Sequence, residues 1–350
     1  MADLSVSIGD LRIKNPVIAA AGEHLIGAAG IRSAILAGAG AVVGKSTNES
    51  EAAKDQLTRA EYAVLDADWN CLPWNGDAPS AVTFLTRSGL SPLGFDAWLA
   101  QSVEMDRFAR EHNALYVPSI ILAETGPALD MARVVQNSGL RVLEFNIGTP
   151  YASEAARGAV STELSPDRVG LLTAMMVEAL DIPVWIKVTG QSARVQDLAR
   201  AAFDAGAQSV VMAGRALGML PDLETQAPLL DTSGGIGGYW NLPMTCHWLA
   251  TSRAMLGPQR SLIGINGARN GLDVARMMLA GASAVGIASE VMLRGWGVIS
   301  EAVAALDAYC TGKDMTAAEL IGVAADARRS FAQMPKLDRH WEKFIPAPSE

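Results

Sequence analysis

Val142-Leu-Glu-Phe-Asn-Ile-Gly-Thr-Pro-Tyr151 reads as a buried β-strand that stops at Asn146 and spills into a tight loop carrying Thr149, Pro150 and Tyr151. A continuous apolar run, rather than an alternating one, marks a strand buried on both faces, as in a parallel sheet. Seven more segments have the same character: Asn15-Pro-Val-Ile-Ala-Ala-Ala-Gly22, Gly40-Ala-Val-Val-Gly-Lys45, Leu115-Tyr-Val-Pro-Ser-Ile-Ile121, Ile182-Pro-Val-Trp-Ile-Lys-Val188, Ser209-Val-Val-Met212, Ser261-Leu-Ile-Gly-Ile265 and Ala284-Val-Gly-Ile287. Helical patterns fall between strands over 28–37, 95–112, 193–205 and 272–279. Eight strand–helix units in 350 residues predict an α/β fold, a (β/α)8 TIM barrel, with a doubly wound open sheet as the structural alternative. Residues 4–13 alternate and predict a hairpin closing the barrel bottom, while 316–331 predict an extra helix. The expectation is one domain over 1–350, with a barrel core at about 15–306 and a helical tail over 307–350.

Half the residues are hydrophobic, which is ample for one large core. The formal net charge is −9 without a basic cluster, which argues against nucleic-acid or anionic-membrane partners. Three cysteines, Cys71, Cys246 and Cys310, form no CxxC motif, so no metal site is expected. Their sparse, odd number suits a reducing compartment. The N-terminus does not read as a signal peptide, and no apolar run reaches membrane-spanning length. The expectation is a soluble cytoplasmic protein.

Two connections are too long for turns, 46–94 and 213–242, and both follow a strand. Long ordered loops on the C-terminal face of a barrel usually cover an active site. Gly264-Ile-Asn-Gly267 ends the seventh strand, and Gly286-Ile-Ala-Ser289 ends the eighth. Small residues there let backbone N–H groups approach an anion, the usual phosphate site of such a barrel. Ordinary strand-to-helix turns also favour glycine. Lys45 and Lys187 each end an apolar strand and cannot be fully buried without partners. Each is either a cation beside a cofactor edge or a strand-end lysine reaching solvent. Asn146 either bonds a cofactor or substrate through its amide, or caps the loop that follows.

In this order, Asn15–Gly22, Gly44-Lys-Ser-Thr47, Asn146-Ile-Gly-Thr-Pro150, Pro183-Val-Trp-Ile-Lys187, Gly234-Gly-Ile-Gly-Gly238, Gly264–Gly267 and Leu279-Ala-Gly-Ala-Ser-Ala-Val-Gly286 resemble the dihydroorotate dehydrogenase family, its soluble class most nearly. The resemblance spans about 4–306. It implies FMN at the C-terminal mouth, with the Ala21 and Gly22 backbone near the flavin. It puts Lys45 and Lys187 on the isoalloxazine and ribityl groups, Lys45 with a catalytic role, and Ser46 and Asn146 as further flavin contacts. It assigns Gly235, Gly267, Ala288 and Ser289 to the phosphate. In the family, a base in the loop after the fourth strand removes a substrate proton while the adjacent carbon delivers hydride to flavin N5. Thr149 occupies that position. A homodimer and a diffusible or separate-protein electron donor or acceptor are further implications.

The departures point to the substrate. The family reads its pyrimidine dione through asparagines, but this chain has Tyr151, Thr86 and the run Ala213-Gly-Arg215 where they belong. Each unpaired polar group left buried costs about 1–3 kcal/mol, enough in sum to abolish recognition. Arg215 and Arg87 suit a carboxylate or a surface ion pair. His24 faces the flavin and substrate, or packs. Trp69 and Trp74 form an apolar lid, or the small core of the insertion. Thr149 is a weak base alone, and Tyr151 is the alternative acid/base. The leading expectation is an FMN-dependent oxidoreductase acting on a CH–CH or C=C bond next to a carbonyl of a small molecule other than dihydroorotate. A genuine dihydroorotate dehydrogenase and a non-redox barrel binding a phosphorylated ligand are the alternatives.

Overall fold

A computed structural model of the chain describes residues 1–74, 78–148 and 165–347. The chain opens with β1 (Val6–Ile8) and β2 (Leu11–Ile13), followed by β3 (Val17–Ala19), α1 (Ala28–Leu36), β4 (Ala41–Val43) and α2 (Glu51–Asp55). Next come β5 (Glu61–Leu65), β6 (Cys71–Leu72), β7 (Thr83–Arg87), α3 (Phe95–Glu111), β8 (Leu115–Val117), β9 (Ser119–Ile121) and α4 (Thr125–Asn137). The middle of the chain holds β10 (Leu143–Asn146), α5 (Pro166–Ala179), β11 (Val184–Lys187), α6 (Val195–Asp204), β12 (Ser209–Met212), β13 (Ala216–Gly218) and β14 (Gly234–Gly238). The last part contains α7 (Leu242–Leu256), β15 (Ser261–Ile265), α8 (Gly271–Leu279), β16 (Ala282–Ile287), α9 (Ser289–Arg294), α10 (Gly297–Lys313), α11 (Ala317–Leu320) and α12 (Val323–Asp326).

Nine strand segments form the parallel sheet, in the order β8-β4-β3-β16-β15-β12-β11-β10-β9. The two ends of that order are halves of one stave. Pro118 separates them because it has no N–H to give the ladder. Its carbonyl still accepts from Glu144 N at 2.9 Å, and β8 pairs with β4 while β9 pairs with β10. The ring therefore closes on itself as the (β/α)8 TIM barrel, with the helices between the strands, and the open-sheet alternative falls away. The staves bury large side chains, among them Trp185, Tyr116 and Phe145. At the bottom, β1 and β2 pair antiparallel, and Gly9 N donates to Ser261 Oγ at the start of β15 (2.9 Å).

The two long connections are not loops. They meet in a second, antiparallel sheet of order β13-β14-β7-β5-β6. Gly235 lies opposite Thr86, and Thr86 opposite Tyr62. From the central strand β7, Arg87 ties this lid together, donating to Arg59 O and Leu230 O, each at 2.7 Å. The expected single helix over 316–331 is also corrected. It breaks into α11 and α12 at Gly322, whose φ of +85° leaves the right-handed region and whose N–H donates to Met278 O (2.8 Å). Among the described residues beyond α12, the chain leaves helix apart from short 3-10 turns.

Candidate active site

A cavity opens where the C-terminal ends of the staves meet the underside of the lid sheet. Its walls come from residues at or just past the strand ends, so the barrel converts sequence positions far apart into one surface. From the staves it takes Ala21 and Gly22 after β3, Lys45 and Ser46 after β4, Asn146 on β10, Lys187 on β11 and Arg215 after β12. Asn266 and Gly267 after β15 and Ala288 and Ser289 after β16 complete the ring, while Thr86 and Gly235 come from the lid.

 Twelve of the fifteen site residues expected from the sequence line this cavity, and the other three are His24, Thr149 and Tyr151. Thr149 and Tyr151 lie outside the described residues.

The polar groups of the floor form a chain. Ser46 Oγ lies 2.8 Å from Ser119 Oγ, which donates to Glu144 Oε1 at 2.8 Å. Glu144 is 2% exposed, and Lys187 Nζ stands 3.9 Å from the same oxygen. A buried carboxylate needs such partners, because an unpaired one is costly. Lys187 therefore ends its strand beside a fixed counter-charge. Asn146 takes the loop-cap setting, its Oδ1 accepting from Gly148 N (3.1 Å), and the residue also lines the cavity.

Lys45 has a partner that the sequence reading did not supply. Its Nζ lies 2.9 Å from Glu23 Oε1. Burial opposes ionisation of Glu23, but the Lys45 charge and hydrogen bonds from Lys45 and Tyr62 hold its carboxyl below the usual range. The signal that could have pointed to Glu23 is an acidic residue four positions past the end of β3. Tyr62 and Phe84, which also line the cavity, carried no such signal, because only the lid sheet brings them there.

Arg215 donates to Ser88 Oγ at 2.5 Å, and both line the cavity. Arg87 instead serves the lid, with Asp231 Oδ2 3.6 Å away. Asn266, in the left-handed region at φ +75°, donates to Gly214 O (2.9 Å) and so ties the loop after β15 to the loop after β12. Gly267 follows at φ +104°, where a Cβ would stand 2.4 Å from Leu242 N. Only glycine permits that close approach.

His24 does not line the cavity. Its ring packs against Trp296 with centroids 5.6 Å apart, and neither ring nitrogen has a hydrogen-bond partner among the described residues. Burial pushes its pKa down to about 4, so the ring is neutral at pH 7. Trp74 packs tilted against Tyr62 and Phe84, with ring centroids 5.7 Å from each, Trp69 is exposed, and neither lines the cavity. Among the described residues no group of three or more His, Cys, Asp or Glu could hold a metal ion, and no helix is long and apolar enough to cross a membrane.

The family model for dihydroorotate dehydrogenase matches residues 3–309. A dihydroorotate dehydrogenase B (NAD(+)) catalytic subunit from Methanosarcina acetivorans is 30% identical over 308 residues, 87% of this chain and 90% of that protein. A dihydroorotate dehydrogenase A (fumarate) from Lactobacillus delbrueckii is 27% identical, covering 83% of this chain and 88% of the relative. A B-type catalytic subunit from Methanopyrus kandleri is 28% identical, covering 83% and 86%.

Proposed function

This chain belongs to the dihydroorotate dehydrogenase family of flavin-dependent oxidoreductases acting on CH–CH bonds, and on that premise we propose that it holds FMN and acts on a substrate other than dihydroorotate. Membership sets aside the non-redox alternative. The observation that carries the proposal is a mismatch within one cavity. Positions that the family uses for its cofactor are occupied by compatible residues, whereas Thr86 and Gly214-Arg215 line it where asparagine readers belong.

The residues suit FMN chemically. Lys45 and Lys187 supply cations, Ser46 and Asn146 supply polar groups, and the small residues Gly267, Ala288 and Ser289 also line the cavity, where backbone N–H groups can meet a phosphate. FMN, when bound, supplies a hydride acceptor or donor at N5. The chain's own task is the proton. In this reading Thr149 or Tyr151 exchanges a proton with the carbon next to the one that exchanges hydride, and Asn146 fixes the backbone at Gly148. Electrons pass to or from a separate molecule. FMN addition and desalting tests the cofactor: the protein stays yellow, and a colourless product overturns the proposal. Thr149→Val should lower turnover at least about 100-fold while leaving the protein yellow, whereas full activity dismisses Thr149 as the acid/base.

A second reading, a genuine dihydroorotate dehydrogenase, is favoured by the names of the relatives at 25–30% identity. Oxidation of dihydroorotate by the yellow protein would establish it.

A further inference from the structure

The Lys45–Glu23 ion pair alters what the cavity accepts. Both residues line it, and their side chains are 11% and 18% exposed. Gly89 N also approaches Glu23 Oε1, at 3.4 Å. The lid turn, the carboxylate and the lysine thus form one cluster, with Tyr62 as a further partner of Glu23. A carboxylate-bearing ligand reaching Lys45 would have to break this pair or lie beside Glu23. Breaking a buried pair strands a charge, and like charges repel strongly where water is excluded. A neutral ligand meets neither obstacle, and an N–H or O–H on it finds a carboxylate acceptor.

We propose that Glu23 is a specificity-determining residue: by occupying Lys45 it excludes substrates with a carboxylate at this end of the cavity and selects neutral ones that donate a hydrogen bond. This rests on the reading of the cavity as an FMN site with an altered substrate. Cinnamate and cinnamamide test it, since both present a C=C bond conjugated to a carbonyl and differ mainly in charge. Calorimetry on the FMN-loaded full chain should find cinnamamide bound at least ten-fold more tightly than cinnamate. Glu23→Gln, which keeps the shape and removes the charge, should bring the two within three-fold. The inference fails if the wild type binds cinnamate as tightly, if Glu23→Gln leaves the ratio unchanged, or if neither protein binds either compound. The wild-type ratio decides alone should Glu23→Gln not fold. A preparation that cannot hold FMN sinks the underlying reading too, whereas a yellow one with the wrong ratio sinks only this inference.

Discussion

Gly267→Ala puts the cofactor cradle under direct stress. At φ +104° an alanine is strained, at a cost of about 1–3 kcal/mol. Its Cβ would also stand 2.4 Å from Leu242 N and 2.6 Å from Leu242 Cα. Those are backbone atoms at the start of α7, so they cannot swing aside as a side chain would. Overpacking of this kind adds about 1–3 kcal/mol, giving a total near 4 kcal/mol. Gly257 is the internal control. It has a φ of +83° and a ψ of 169°, but a Cβ there meets nothing within 4 Å. Gly257→Ala should therefore cost only the strain, about 1–3 kcal/mol. Urea unfolding followed by tryptophan fluorescence measures both, and flavin titration gives FMN affinity. Gly267→Ala should be the less stable by about 1–3 kcal/mol and bind FMN at least ten-fold more weakly, with Gly257→Ala unaffected in affinity. Equal destabilisation together with unchanged FMN affinity would refute the reasoning.

Two other perturbations probe the lid and the buried ring. Arg87→Ala removes donors to Arg59 O and Leu230 O, so limited proteolysis should cut the connection between β13 and β14 faster, and an unchanged cleavage rate would count against the latch. His24 has a folded pKa of about 4 against 6.5 unfolded, so the unfolded state binds more protons between them. Stability is then full above about pH 6.5 and falls as pH drops toward 4, by roughly 3 kcal/mol. His24→Phe should flatten that slope in urea unfolding at pH 7.5 and 4.5, and an identical slope would clear His24 of the effect.

The barrel was legible because its staves are continuous apolar runs with a single meaning. Ser209–Met212 and Ser261–Ile265 even keep their bounds. The lid sheet was not, for β14 is Gly234–Gly238, whose four glycines carry no side-chain alternation to read. Its strand character comes from pairing with β7, a long-range fact. The same gap hid Tyr62 and Phe84. Lys45 lines the cavity, but its partner Glu23 depends on a geometry between two strand ends that spacing does not encode. For His24 the sequence left two settings open, facing the mouth or packing, and the ring packs against Trp296.

Anaerobic mixing of the yellow, FMN-loaded protein with dihydroorotate tests the central claim most directly. The account predicts that the oxidised flavin absorbance persists. Rapid bleaching of that band would contradict it and make the chain a dihydroorotate dehydrogenase in activity as well as in family.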